Sequence, residues 1–438
     1  MFAPTLGSDK LQRSVLAWLH RPIAYTIGAP VVMVAGMVTT IAAPKILAPA
    51  SFAQFALLTS VVQYAGEFDL GLGRLIDRQL SRAGYQPVLM RSFIVARLWL
   101  AMGLLLTLLT LSMVAPFARL SAVAGIAGVA MMLCKGPLAF FRARSQLAAF
   151  TVLALAIQAG LSLPRLTGLL LDGVTGCMLA LAIWYVAIAT VLTAPFIARL
   201  RRPARSECVL PLFVQSAPLF VFSSSWMLFV LANRWFAWVL SSPTDTGLFA
   251  FGANLVGIGA GLVSTVVQAY YPRHLAASQP AALSSELWRL LALAIVGVTA
   301  AGAVCGFGFE RVFPKFTGAE TCTAALLITG VPLSLCAWLI PLIIARSASP
   351  VRDAGAIVGT SLAGLFACMW LGSPFGIEGL AWGCLPPTLG LLGWHLGFVA
   401  RDGFLSRRAA VMLWTTTLLA TTAFGGMWLL MFHATSRL

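Results

Sequence analysis

The chain of 438 residues is 60% hydrophobic and only 10% charged, where a soluble globular domain carries roughly a quarter charged residues. Apolar runs of about 18 or more residues recur from end to end, each long enough to cross a hydrocarbon core of about 30 Å. This excludes a sizeable soluble domain, and the lack of short alternating segments excludes a β-barrel. The formal net charge of +16 does not indicate nucleic acid, because the basic residues sit between apolar runs rather than on one soluble face.

In lipid, a continuous apolar run satisfies its own backbone only as a helix. Residues 1–22 carry Lys10, Arg13, His20 and Arg21 without the apolar core and cleavage site of a signal peptide. They are expected to form a cytoplasmic N-terminus, and the first span is expected to stay. Spans are read at 23–44, 50–66, 97–115, 121–138, 147–166, 174–197, 210–233, 247–270, 289–308, 323–345, 354–372, 377–400 and 409–432. Pro164-Arg165 interrupts the fifth. With the N-terminus inside, 22 of the 29 Lys and Arg fall on inner segments and the rest outside, the bias expected of cytoplasmic loops. Gly173-Val174-Thr175-Gly176 leads into the sixth span and Gly376-Ile377-Glu378-Gly379 into the twelfth. That echo is what two six-helix halves, related by an axis along the membrane normal, would leave in the sequence.

The expectation is an all-α polytopic membrane protein of about 12 to 13 transmembrane helices, in two six-helix bundles plus a C-terminal helix. The N-terminal bundle covers 23–198, a basic cytoplasmic linker 199–209, the C-terminal bundle 210–400 and the extra helix 401–438.

The inner loop after the second span holds Asp69, Arg74, Asp77, Arg78 and Arg82. Acids and arginines three and four apart pair along a short helix. One reading is a salt-bridged turn helix; the other is a cytoplasmic gate formed by Asp69, Arg74, Asp77, Arg78 and Arg273. Charges inside spans say more, because lipid makes them costly. Arg97 and Lys135 lie near inner span ends, where long side chains snorkel to headgroups. Arg165 interrupts a span, and Arg234 follows Asn233 near an outer end. Together Arg165, Arg234, Arg97 and Lys135 form a cationic set with no acid deep in a span. Such a set fits an anionic cargo such as a pyrophosphate, which arginine grips with paired donors. Export of a cation by ion exchange ordinarily uses an intramembrane carboxylate; the sequence offers no clear candidate, which disfavours a drug/cation antiporter.

No enzyme constellation is present, and no catalytic residue, metal or cofactor is expected. The sequence has no GxxxxGK[ST] loop and no HExxH, and its four histidines do not cluster. His395 reads as a packing residue or a relay. Pro386-Pro387 reads as a structural kink or a hinge. The eight cysteines stand singly and read as small apolar residues, with a Cys305–Cys322 disulfide as the weaker alternative.

Several segments resemble one family. Ser51-Phe52-Ala53-Gln54-Phe55-Ala56-Leu57, followed by Glu67-Phe68-Asp69-Leu70-Gly71-Leu72-Gly73-Arg74, is similar to the second span and first inner loop of polysaccharide flippases. So are Phe141-Arg142-Ala143-Arg144, Thr246-Gly247-Leu248-Phe249-Ala250-Phe251-Gly252-Ala253, Tyr270-Tyr271-Pro272-Arg273 and Gly376-Ile377-Glu378-Gly379-Leu380-Ala381, in order along spans one to twelve. These flippases belong to the multidrug/oligosaccharidyl-lipid/polysaccharide exporter superfamily. The resemblance implies two bundles around a central cationic cavity, worked by alternating access in the bacterial inner membrane. It implies a cargo of undecaprenyl-pyrophosphate-linked oligosaccharide for exopolysaccharide, lipopolysaccharide or O-antigen biosynthesis. Membrane lipid, and a polysaccharide polymerase and chain-length regulator, are the partners it brings with it. Family members often carry an acid late in the seventh span, where this chain has Asn233-Arg234, and usually have 12 or 14 spans where this chain reads as 13. A multidrug exporter of the same fold is the alternative, followed by a membrane glycan polymerase or acyltransferase. The latter would be expected to carry a large outer loop, and the longest here is about 309–322.

Overall fold

A computed structural model describes residues 31, 36–83, 87–111, 113, 118–143, 147–200, 209–276, 280–346 and 350–435. They form helices almost throughout, with no strand among the described residues. The helices are α1 (36–46), α2 (Pro49–Glu67), α3 (Leu72–Ala83), α4 (Pro87–Leu111), α5 (Ala118–Ala143), α6 (Leu147–Gly160), α7 (Leu163–Leu200) and α8 (Val209–Leu240). They continue with α9 (Pro243–Ala276), α10 (Pro280–Val312), α11 (Glu320–Arg346), α12 (Pro350–Gly383), α13 (Leu385–Arg401) and α14 (Arg407–Thr435). Eight helical stretches among the described residues are long and apolar enough to cross a membrane. The chain is therefore an all-α, multi-pass membrane protein. The thirteen spans read from the sequence fall on helix where they are described, the first from residue 36 and the third up to Leu111, with breaks inside the fifth and twelfth. The short amphipathic α3 is additional to them.

Two compact units emerge: residues 1–39 with 61–213, and residues 40–60 with 214–438. The boundary falls within α2, between Ser60 and Val61. In the first unit, α5 packs along α7 and is flanked by α4 and α6. In the second, α11 is central and touches α9, α10, α12, α13 and α14. Of its apolar stretch 89% is buried, against 28% for α14, so α14 is peripheral. Trp414 Nε1 of α14 donates to Leu389 O at 3.0 Å, docking that helix on α13.

The glycine echo has a shared geometry. Gly173 (φ 54°, ψ −133°) and Gly376 (φ 61°, ψ −145°) adopt the same conformation, in a region that side chains with a Cβ avoid. There α7 and α12 each fold back as a tight hairpin. Three residues on, a Cβ at Gly176 would stand 2.4 Å from Gly168 O, and one at Gly379 would stand 2.3 Å from Leu371 O. Both hairpins thus close backbone to backbone. A second echo lies in helix starts. Pro49 and Pro243 each open a helix after a two-residue break, and each has a Phe-Ala pair six residues on, Phe55-Ala56 and Phe249-Ala250. Proline suits the first turn because its missing N–H has no partner to lose there.

The fifth span differs from its sequence reading. Its break lies at Leu161-Ser162, not at Pro164-Arg165, and helix resumes at Leu163 to run to the Gly173 turn. Pro164 occupies the first turn of the resumed helix, where it is tolerated. Pro386 and Pro387 likewise open α13 rather than kink its interior; the break is at Cys384.

Candidate functional site

The end of α2 meets α4 and α5 in an ion-paired cluster. Arg97 lies ten residues into α4, about 15 Å along it, and is only 3% exposed. It does not snorkel; its Nη2 donates to Asp69 Oδ2 at 2.6 Å. Asp69 also accepts the Gly71 N–H at 3.0 Å and the Gly73 N–H at 2.9 Å, which tethers the first turn of α3. A Cβ at Gly73 would stand 2.8 Å from both Arg97 and Asp69, so a side chain there would displace the pair. Asp69 lies in the connection outside the spans. Burial alone would push its carboxyl up, but the Arg97 charge, the Gly73 N–H and Lys135 together hold it below its ordinary value of 3.8. Lys135 Nζ donates to Gly66 O at 2.9 Å and pairs with Glu67. The helices can approach because Gly128 of α5 sits against Val62 O and Ala65 of α2.

The broken fifth span is held from across its hairpin. A helix break frees carbonyls that lipid cannot solvate. The Ala156 carbonyl accepts Trp184 Nε1 at 3.0 Å and the Ile157 carbonyl accepts the Tyr185 hydroxyl at 3.0 Å. The Gln158 and Ala159 carbonyls accept the Leu161 and Ser162 N–H groups. Arg165 follows in the first turn of the resumed helix, 6% exposed, facing Cys177 and Tyr185. A cation there adds to the positive end of the helix dipole instead of opposing it. This is a costly place for an arginine and a favourable one for an anion.

The second unit has a helix break of its own. Helix breaks at Cys384, and α13 starts at Leu385. Asn233 of α8, fully buried, donates through Nδ2 to Cys384 Sγ at 2.9 Å. Arg234, next in the chain, is 2% exposed. A small apolar cavity lies alongside, lined by Phe249, Ala253, Val256, Leu326, Thr329 and Thr388. Cys322 is free and buried, so it forms no disulfide. The side chain of Cys305 lies outside the described residues.

The sequence-read residues therefore separate into pairs with different settings. Arg97 and Lys135 come together, each held by an acid of the α2–α3 connection. Arg165 lies in the first turn after the break in the fifth span, and Arg234 follows Asn233, which bonds to Cys384 at the other break. Of the gate set, Asp69 is committed to Arg97 and to α3, and Arg74 and Arg78 lie on α3. The side chains of Asp77 and Arg273 lie outside the described residues. His395 is buried, with Nδ1 2.6 Å from Leu391 O. Sequence reading missed one buried acid. Asp353, 1% exposed in the first turn of α12, is gripped by Arg401 through bonds of 2.7 and 2.8 Å. Its charge is neutralised by a forked pair. Among the described residues no three His, Cys, Asp or Glu are grouped to hold a metal.

No protein-family model and no curated protein matches the chain. Solved structures do. The lipid II flippase MurJ in an inward closed conformation matches with a TM-score of 0.63 at 11% identity, over 95% of this chain and 99% of that one. The Vibrio cholerae MATE transporter VcmN matches at 0.61 and 15%, over 89% and 97%. The eukaryotic MATE transporter AtDTX14 matches at 0.58 and 15%, over 92% and 99%. All three are membrane transporters or flippases, and the chain shares their fold.

Proposed function

We propose that the chain translocates a lipid-linked anion across the bacterial inner membrane, with its N-terminus cytoplasmic. The cargo we assign is undecaprenyl-pyrophosphate-linked oligosaccharide for exopolysaccharide or O-antigen synthesis. One observation carries this reading: two arginines in apolar helices, Arg165 and Arg234, are 6% and 2% exposed, the first in the opening turn after a helix break and the second next in the chain to Asn233, which bonds to Cys384 at another. Discontinuous helices that present their N-termini to an anion are a recurrent transporter device. Arginine adds paired donors for phosphate oxygens. Each unit thus offers a buried arginine to a phosphate group, while the prenyl tail stays in lipid. No covalent step is needed; alternating access moves the head group, and the energy source is a separate matter. Arg97 and Lys135, with Asp69 and Glu67, serve in this reading as the inner latch of the first unit.

Multidrug export is the second reading, favoured by the MATE neighbours of the same fold. Against it stands the pairing of Asp353, the one acid among the described residues that is buried within a span, which is already forked to Arg401. Proteoliposomes separate the two. Fluorescent prenyl-pyrophosphate oligosaccharide should become accessible on the far side only when the protein is present, and lipophilic cationic dyes should not accumulate. Dye transport without lipid flipping would reverse the assignment.

A further inference from the structure

Residues 40–60 group with 214–438 rather than with the residues that follow them. Specific contacts hold them there. Lys315 Nζ donates to the Lys45 and Ile46 carbonyls at 2.9 and 3.2 Å. These lie at the end of α1, where a helix leaves carbonyls unpaired. A Cβ at Gly247 of α9 would stand 2.0 Å from Pro49 O, so the start of α2 meets α9 backbone to backbone. Phe52, fully buried, then enters a ring cluster. Its centroid lies 5.3 Å from that of Phe316, edge-on, and 6.4 Å from that of Phe251. Phe251 meets Phe316 at 5.2 Å and Phe313 at 4.8 Å, and these two belong to the short turn that follows α10. Trp235 Nε1 donates to Ser60 Oγ at 3.0 Å, at the far end of the segment.

Beyond Ser60 the same continuous helix changes partners. Val62 O lies against Gly128, Glu67 pairs with Lys135, and just past the helix Asp69 pairs with Arg97, all within the first unit. So α2 is fastened by one end to each unit, and the two fastenings differ in kind. Parting Asp69 from Arg97 would leave a buried charge uncompensated. Parting phenyl rings exposes no polar group, and lipid tails are as apolar as the rings they would replace. The bonds from Lys315 are exposed, so water can take them over. We propose that residues 40–60 are a releasable strap, docked on Phe251 and Phe316 with Lys315 as its clasp. Docked, it closes access at the Pro49 end of α2, the outer end on the orientation proposed above; released, it swings about the fixed Glu67 end. This rests on the alternating-access reading and not on its cargo.

The test is electron–electron spin resonance distances between labels at Lys45 and Phe375 of the full chain in nanodiscs, with singly labelled chains as background. Lys45 is exposed on the strap, and Phe375, 66% exposed, stands at the α12 hairpin of the second unit. A second, longer distance should accompany the docked one. Phe316→Ala should raise its share relative to the docked one about tenfold, because two ring contacts are lost. Lys315→Gln, which leaves the rings packed, should shift it the same way by less. Phe366→Ala, at a site 72% exposed, should shift nothing. A single, unchanged 45–375 distance in both Phe316→Ala and Lys315→Gln would overturn the strap. So would a change confined to a 315–375 pair, which would make the turn a loose loop beside a fixed α1–α2 segment. The expected shifts without flipping of a labelled prenyl-pyrophosphate oligosaccharide would sustain the strap and overturn the cargo reading.

Discussion

Replacing Asp69 by asparagine isolates the inner latch. The side chain accepts three bonds: Arg97 Nη2 at 2.6 Å, Gly73 N–H at 2.9 Å and Gly71 N–H at 3.0 Å. Asparagine keeps one carbonyl acceptor, turns an NH2 toward the remaining donors and leaves the buried guanidinium uncompensated. With the paired side chains 4% and 14% exposed, solvent screening is slight. Removing one partner of a buried pair costs about 3–5 kcal/mol. Replacing both partners should cost much less, because the orphaned charge disappears with Arg97→Met. Reversible denaturant unfolding in mixed micelles measures all three variants. Asp69→Asn within about 0.5 kcal/mol of the parent, or a double variant no more stable than Asp69→Asn, would refute the reasoning. The pH dependence has a definite sign. The carboxyl is held below 3.8 in the folded chain, so its contribution is complete above that value and lost as pH falls through the lower folded value. Between pH 5 and 8 the latch contribution should be flat.

Three further predictions follow from the packing. Gly379→Ala places a methyl 2.3 Å from Leu371 O and should cost at least the ~1–3 kcal/mol of an overpacked core, with Gly176→Ala behaving alike; thermal unfolding of the purified protein checks both. Tyr185→Phe should cost about 1–3 kcal/mol, because the Ile157 carbonyl loses its donor inside the membrane, and Phe at neighbouring Ile183, which is exposed to lipid, serves as a neutral control. Arg401→Lys should lower stability nearly as far as Arg401→Gln, because lysine cannot fork to both Asp353 oxygens; stability near the parent level would show that charge alone suffices.

The helical architecture is legible in the apolar runs, because lipid admits little else. The hairpin glycines are legible too, since their repeat encodes one backbone conformation. The ion-paired latch is not. The third span reads as starting at Arg97, whereas helix starts at Pro87 and carries Arg97 deep into the bundle. Its partner lies 28 residues back, and that of Lys135 lies 68 back. Spacing within one helix cannot reveal such pairs. The break at Leu161-Ser162 is hidden for another reason. Pro164 signals a disruption, but proline is tolerated in a first turn, and the break precedes it. Tyr185 and Trp184, which satisfy the freed carbonyls, look like ordinary apolar-span residues.

The most direct measurement is flipping of a fluorescent prenyl-pyrophosphate oligosaccharide in proteoliposomes by Arg165→Gln, Arg234→Gln and the corresponding lysine variants, with insertion confirmed for each. The expected result is a loss of more than about tenfold in each glutamine variant, roughly the worth of one charge-assisted contact, with partial recovery by lysine. Unimpaired flipping when both arginines are glutamine would contradict an anionic cargo held by these two arginines.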